Sequence, residues 1–402
     1  MKILFDNQAF SMQRHGGVSR CFAELYSLIN ADKSLGCDVE IALNETENAY
    51  MRDIGVGKPL GWEYAHFPTE AHWPMKGRAF ALRNRLFHGV PYDKTNRLYF
   101  DYKNRYNMYE SICRLKKGNF DIFHPTFFDD YFLPYLKGKP FVLTIHDMMP
   151  ELYPQYFDQE KDMQVLSKRI LGPKAAAIIA VSEKTKEDAI RILGLPEEKV
   201  HVVYHGCSFV KVADGADAVE SAPYILYVGD RAAYKNFMCF VRDVAVVLKR
   251  HPEFLVKCTG KPFNKEEISI MTRYGVKERF VQHWVKDDAE FYRLYHNAFC
   301  FVYPSEYEGF GIPILEAYTA DCPVMLNNAS CFPEIAGDAA IFFTMKEDET
   351  NFVEQFETLY SYTSEERETL LAKQRKRLEL YSWQKSAEQL VNIYRSILCN
   401  SQ

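Results

Sequence analysis

The chain has 402 residues, too many for one ordinary core, so two or more domains are expected. With 47% hydrophobic and 26% charged residues the composition is globular, and a net charge of −5 argues against general nucleic-acid binding, which needs a basic face. Ten cysteines are scattered without a CxxC pair or a metal-like cluster, which fits a reducing cytoplasm and predicts no metal site.

MKILFDNQAF opens as a buried strand and has no long apolar stretch of the signal-peptide kind. GGVSRCFAELYSLINA follows as a glycine turn and a helix, with Val18, Phe22, Leu25 and Ile29 on one face. The stretch 62–117, inside an insertion of about 45–118, carries 11 Lys or Arg against 5 Asp or Glu, interleaved with aromatics from Trp62 and Trp73 to Tyr109. It suits an anionic membrane surface or an acidic acceptor, and equally an ordinary solvated helical hairpin. FDIFHP, PFVLTIHD and AAAIIAVS read as further buried strands, and SEKTKEDAIRILG as a helix capped by Ser182 and closed by Gly194. HVVYHG ends this half near residue 206. Nowhere does a run of about 18 apolar residues predict a membrane span.

A polar linker is expected over 207–222, after which the rhythm restarts. PYILYVGD, EFLVKCTG, RFVQHWV, AFCFVYP, CPVMLNN and AAIFF read as strands alternating with helices across 223–382, and WQKSAEQLVNIYRSIL as a closing helix within 383–402. Strands alternating with helices in two halves predict two doubly wound α/β domains.

The chemistry gathers in SEYEGFGIPILEAY, between a strand and a helix. Pro313 suits a first helical position. Gly309 and Gly311, in the turn before the helix, let free N–H groups approach a phosphate. An acidic Glu316 one turn into the helix would repel phosphate but can accept from a neighbouring ribose diol. Glu308 is left for whatever lies beyond the phosphates. The balancing cations are expected from GDRAAYKNF, where Arg231 and Lys235 sit four apart after a strand; a guanidinium fork and a mobile ammonium neutralise a diphosphate. Each part also has an ordinary reading, a solvated Arg-x₃-Lys face or a chance Glu-x₇-Glu.

Taken together, PSEYEGFGIPILEAYTADCPV resembles the E-x₇-E signature of the retaining glycosyltransferase family 4. GDRAAYKNF, VSEKTKEDAIRILGLPEEKVHVVYHGCS and YSWQKSAEQLVNIY resemble that family's other landmarks, with His205 where Asn is common. The resemblance implies a GT-B fold: two facing Rossmann-like domains with a central cleft and a C-terminal helix crossing back. It implies that the donor binds mainly the C-terminal domain and the acceptor mainly the N-terminal one. It carries over Arg231 and Lys235 to the diphosphate, Glu316 to the ribose and Glu308 to the donor sugar. Gly309, Phe310 and Gly311 would give backbone contacts, and Gly16 and Gly17 form a loop closing over the phosphates. His146, in LTIHDMMP, matches a histidine that reaches the donor sugar. TIHD with a nearby proline is similar to mannosyl-transferring members of bacterial polysaccharide synthesis, so mannose from GDP-mannose is the expected donor, with a UDP-sugar as the alternative. Asp147 is read as a partner of His146 or a turn cap, and His124 as acceptor-side or simply packed.

No metal cofactor is expected. The expected partners are a nucleotide-sugar donor and a glycan or lipid-linked glycan acceptor, at the cytoplasmic side of a membrane or free in the cytoplasm. Rival readings are a nucleotide-dependent oxidoreductase, which the missing third glycine of GxGxxG disfavours, a nucleotide-sugar epimerase, and a non-catalytic sugar-nucleotide-binding protein.

Overall fold

The computed structural model describes residues 1–59, 96–212, 222–231 and 233–400. Trp62, Trp73, Phe80, Phe87 and Tyr92 of the basic aromatic stretch, and most of the expected linker, lie outside the described residues.

In the first half, β1 (Lys2–Phe5), β2 (Asp38–Ile41) and a later strand form a parallel sheet, beside a minor pair, β3 (Glu45–Thr46) and β4 (Lys58–Pro59). That later strand is β5 (Ile122–His124), and the sheet order is β2-β1-β5. β6 (Val142–Ile145), β7 (Ala177–Ala180) and β8 (Val200–Val202) continue it, joined through a parallel bridge between Phe123 and Phe141. VLTI and AIIA are buried at every position, the mark of parallel strands covered on both faces. The helix Gly17–Ala31 packs Phe22, Leu25 and Ile29 on this sheet, with Val18 half-buried at the edge. Asn96–Lys117 is one helix. Its buried Asn107 donates to Ser11 Oγ at 2.9 Å and to the Glu45 carbonyl at 2.8 Å, tying it to the loops above β1.

The second half has six parallel strands: β9 (Tyr224–Tyr227), β10 (Leu255–Cys258), β11 (Phe280–Gln282), β12 (Cys300–Tyr303), β13 (Val324–Asn327) and β14 (Ile341–Phe343). Their order is β11-β10-β9-β12-β13-β14. The order reverses between β9 and β12, so the loops leaving these two strands flank one crevice, the place where open α/β sheets bind ligands. The last helix, Trp383–Asn400, crosses back: Trp383, Leu390, Val391 and Tyr394 are buried in the core of the first half with Phe5 and Phe22.

Among the described residues no helix is long and apolar enough to cross a membrane, and no His, Cys, Asp and Glu group is arranged to hold a metal ion. The cysteines are unpaired and mostly buried.

Candidate functional site

Two helices start at the crevice from opposite halves. Gly311, at φ 102°, caps Ile312–Thr319, in which Pro313 is the second residue. That positive φ suits glycine alone. Gly16 caps Gly17–Ala31, and a Cβ added at Gly17 would lie 3.8 Å from Ile312 Cδ1. The two N-termini therefore converge, and with them the positive ends of two helix dipoles.

The loop after β9 and the turn after β12 meet beside them. Lys235 Nζ donates to Glu308 Oε1, and both side chains are mostly shielded from solvent. Burial opposes the ammonium charge most, yet Glu308, together with Tyr234 and Asp147, holds the Lys235 pKa above its ordinary value. Glu308 is held in turn through its backbone: its N–H donates to Ser330 Oγ at 3.2 Å, and its carbonyl accepts from that hydroxyl at 2.7 Å.

Arg231 stands differently. Its side chain is only 4% exposed, and Nε donates to Glu267 at 3.0 Å, Nη1 to the Thr259 carbonyl at 3.0 Å, and Nη2 to the carbonyls of Lys261 and Pro262. Four of its five donors are thus spent on the loop after β10 and the helix Lys265–Arg273 that follows it. Lys235 is the cation that faces the Glu308 turn, and Arg231 fixes the wall beside it.

Glu316 is buried and sits where the two halves touch. Its Oε2 accepts from the Tyr295 hydroxyl at 3.0 Å, and Arg20, from the helix Gly17–Ala31, lies 3.8 Å from Oε1. Burial pushes its carboxyl up in pKa, with Arg20 and the Tyr295 hydroxyl pulling it back. Next to this pair opens a cleft of about 1070 Å³, walled by Arg14, Arg20 and Tyr50 from one half and Gly260, Trp284 and Val285 from the other.

Gly309 does something the sequence did not suggest. A Cβ there would fall 1.7 Å from the His146 carbonyl oxygen, so the room a side chain would need is filled by the opposite half rather than left for a phosphate. The Gly309 carbonyl accepts from Ser182 Oγ at 2.6 Å and Thr185 Oγ1 at 3.2 Å, again from the opposite half. Phe310 is buried against the His205 ring. Two further contacts reinforce the join. Tyr307 donates to the buried Asp188 at 3.1 Å, and Glu334 accepts from the N–H groups of Glu183 and Lys184 at 2.7 and 3.1 Å, capping a helix of the other domain.

His146 ends β6 beside this turn. Its buried Nε2 has no hydrogen-bond partner among the described residues. Burial, helped by Lys168, lowers its pKa to about 4, so the ring is neutral at neutral pH. An unpaired buried ring nitrogen is costly and marks a place where a ligand hydroxyl can bond. Asp147 accepts from the Met149 N–H at 3.0 Å as a turn cap. His124 is fully satisfied by Tyr394 at 2.6 Å and Thr144 at 2.8 Å, a packed histidine with nothing left to offer a ligand.

Arg20, Ser182, Thr185, Tyr307 and Glu334 were not singled out from the sequence as site residues. The available signal was weak: Arg20 lies one turn past the Gly16-Gly17 pair, Ser182 reads as an ordinary cap, Glu334 as a surface acid, and Thr185 and Tyr307 as ordinary helix and turn residues.

Residues 15–209 match the family model described as Glycosyltransferase Family 4, and residues 214–377 that of Glycosyl transferases group 1. O-antigen chain mannosyltransferase B of Escherichia coli is 24% identical over 290 residues, covering 66% of this chain and 72% of that protein. O-antigen chain mannosyltransferase RfbU of Salmonella typhimurium is 25% identical over 210 residues, 52% of this chain and 58% of that protein. The structure of Anabaena Alr3699/HepE in complex with UDP and glucose matches with a TM-score of 0.70 at 15% identity, covering 98% of this chain and 100% of that one.

Proposed function

The chain belongs to the glycosyltransferases, with family 4 and group 1 halves in two Rossmann-like domains of the GT-B kind, and on that premise we propose that it is a retaining hexosyltransferase using a nucleoside-diphosphate sugar. One observation carries the reading: two helix N-termini, Lys235 and Glu308 converge at the reversal point of the second sheet, with Glu316 one turn away. The dipoles and Lys235 neutralise the diphosphate, and Arg231 keeps the adjoining wall in place. Glu316 takes the ribose hydroxyls. The base occupies the cleft lined by Gly260, Val285 and the exposed Trp284. His146 Nε2 and Glu308 hold the transferred sugar.

In the transfer, the bond from the anomeric carbon to the diphosphate oxygen breaks and the bond to the acceptor oxygen forms on the same face. The acceptor's proton passes to the departing diphosphate. With Lys235 and two helix N-termini already facing the leaving group, turnover is expected to survive EDTA.

Mannose from GDP-mannose is the favoured donor, supported by TIHD in this chain and by relatives named as O-antigen mannosyltransferases. A UDP-sugar is the alternative. The acceptor is a glycan or lipid-linked glycan in cell-surface polysaccharide synthesis. Tyr153 and Tyr156 stack 6.1 Å apart next to Tyr307, the residue before Glu308, an aromatic shelf suited to a sugar ring. The site faces substrates of the cytoplasm, with the acceptor's lipid in the adjoining membrane surface. Melting of the protein with GDP, UDP, ADP and their sugar conjugates, EDTA present, tests the donor. A clear rise with GDP and GDP-mannose supports the reading, a rise with a UDP-sugar replaces the donor, and no rise with any of them refutes the site.

A further inference from the structure

The two oxygens of Glu316 keep different company. Oε2 accepts a hydrogen bond from the fully buried Tyr295. Oε1 faces Arg20, which belongs to the other half, and the 3.8 Å between Nη1 and Oε1 is an ion-pair distance rather than a hydrogen bond. Nη2 of Arg20 lies 3.6 Å from Asp288, and the guanidinium sits 5.7 Å from the Tyr50 ring centroid. The Arg20 and Glu316 side chains are only 14% and 8% exposed, so solvent screens this attraction far less than it would a surface pair. Arg20, Tyr50 and Asp288 also line the 1070 Å³ cleft. Oε1 therefore faces a cation that itself lines the cleft, while Tyr295 bonds only the other oxygen.

We propose that Arg20 is a positioning residue of the donor site: reaching across from the N-terminal half, it holds the Glu316 carboxylate with Oε1 open, so that the ribose diol is recognised only when the halves stand together. The inference rests on Glu316 being the ribose ligand. An ionised acceptor makes stronger hydrogen bonds than a neutral one. Left to burial alone, the Glu316 carboxyl would hold its proton more readily; Arg20 is the leading group that opposes this, ahead of Tyr295, while Asp288 works the other way. Tyr50 and Cys207 are the other titratable groups coupled to this carboxylate. Because Arg20 acts on the diol through Glu316, its loss should erase the distinction between ribose and a sugar without hydroxyls.

Calorimetric titration of the whole protein with GDP and with 2′,3′-dideoxy-GDP measures that distinction directly, and the uridine pair is titrated alongside. The readout is the ratio of the two dissociation constants within one variant, so a general loosening of the site, which weakens both ligands alike, cannot imitate the effect. Wild type is expected to prefer the ribose form by about tenfold or more, Glu316→Gln to lose most of that preference, and Arg20→Met to bring it below about threefold. Arg20→Lys, keeping the charge, should restore part of it. If Glu316→Gln loses the preference while Arg20→Met keeps the wild-type ratio, the Arg20 inference is overturned and the ribose assignment stands. If Glu316→Gln keeps the ratio, or wild type binds neither nucleotide, both fall.

Discussion

Gly309→Ala should separate the two halves of the active site without unfolding either. Gly309 is not at a positive φ, so alanine brings no backbone strain of its own. The new methyl would instead lie 1.7 Å from the His146 carbonyl oxygen and 2.8 Å from its carbon, where ordinary contact begins near 3.4 Å. The obstacle is backbone on a buried strand end, with no flexible tip to yield, so the turn must back away by about 1.7 Å. A shift of that size takes the Gly309 carbonyl out of reach of Ser182 and Thr185, now at 2.6 and 3.2 Å. Two lost hydrogen bonds cost about 1–3 kcal/mol, roughly 5- to 150-fold in a binding constant or rate. The assay is kcat/KM for sugar transfer, with small-angle scattering on the same samples. Transfer should fall by that factor and the scattering profile should report a more open molecule, while far-ultraviolet circular dichroism stays unchanged. Wild-type transfer with an unaltered profile would show that the contact between Gly309 and His146 does not close the site.

Gly206→Ala places a methyl 2.2 Å from the Trp383 backbone nitrogen, and overpacking of this kind should cost about 1–3 kcal/mol, read as a lower urea midpoint with the C-terminal helix released to proteolysis. Lys235→Ala removes the cation beside Glu308 and should lower kcat by about a hundredfold or more with a smaller change in donor affinity; equal losses in both would make Lys235 a binding group alone. Burial depresses His124 and His205 to about 3 and His146 to about 4, so the unfolded chain takes up protons on them that the native state refuses. Stability contributed by these neutral rings is therefore complete above the ordinary histidine value of 6.5 and is lost as pH falls from there toward about 4 for His146 and about 3 for His124 and His205. Each histidine adds up to about 1.4 kcal/mol per pH unit to that slope, and urea midpoints that stay level between pH 7 and 5 would contradict it.

The alternating architecture was legible because parallel strands buried on both faces have to be apolar throughout. YILY, CFVY and VMLN are buried at every position and stand out from the amphipathic helices between them. The glycine-rich turn was legible for a related reason: few backbones need Gly311 at positive φ just before a helix. The meeting of Lys235 with Glu308 was legible only as a joint occurrence after two strands. It becomes a contact through the strand order, because the reversal between β9 and β12 sets their loops side by side. Arg231 shows the limit of that reasoning. Its spacing to Lys235 was right for a shared ligand, yet the tertiary fold supplies Glu267 and three carbonyls that absorb its fork.

What could not be read was the join between the halves, on which the proposed chemistry depends. Ser182 looks like a helix cap in sequence and is one, accepting from Thr185 N–H at 3.0 Å; its hydroxyl proton, however, goes to Gly309 in the other domain. Glu334 looks like a surface acid and caps a helix across the interface. Such roles leave no periodicity, because the partner is backbone, and backbone amides and carbonyls are the same whatever the residue. The glycines carry a related ambiguity. Gly311 is required by its own dihedral angle, whereas Gly309 is required by the approach of another segment, and only the assembled fold tells them apart. Since His146 and Arg20 come from one half and Glu308 and Glu316 from the other, neither half alone holds a complete site. On the proposed reading a donor lies between them and is contacted by both, and the interdomain hydrogen bonds to Gly309 and Glu334 hold that arrangement in place.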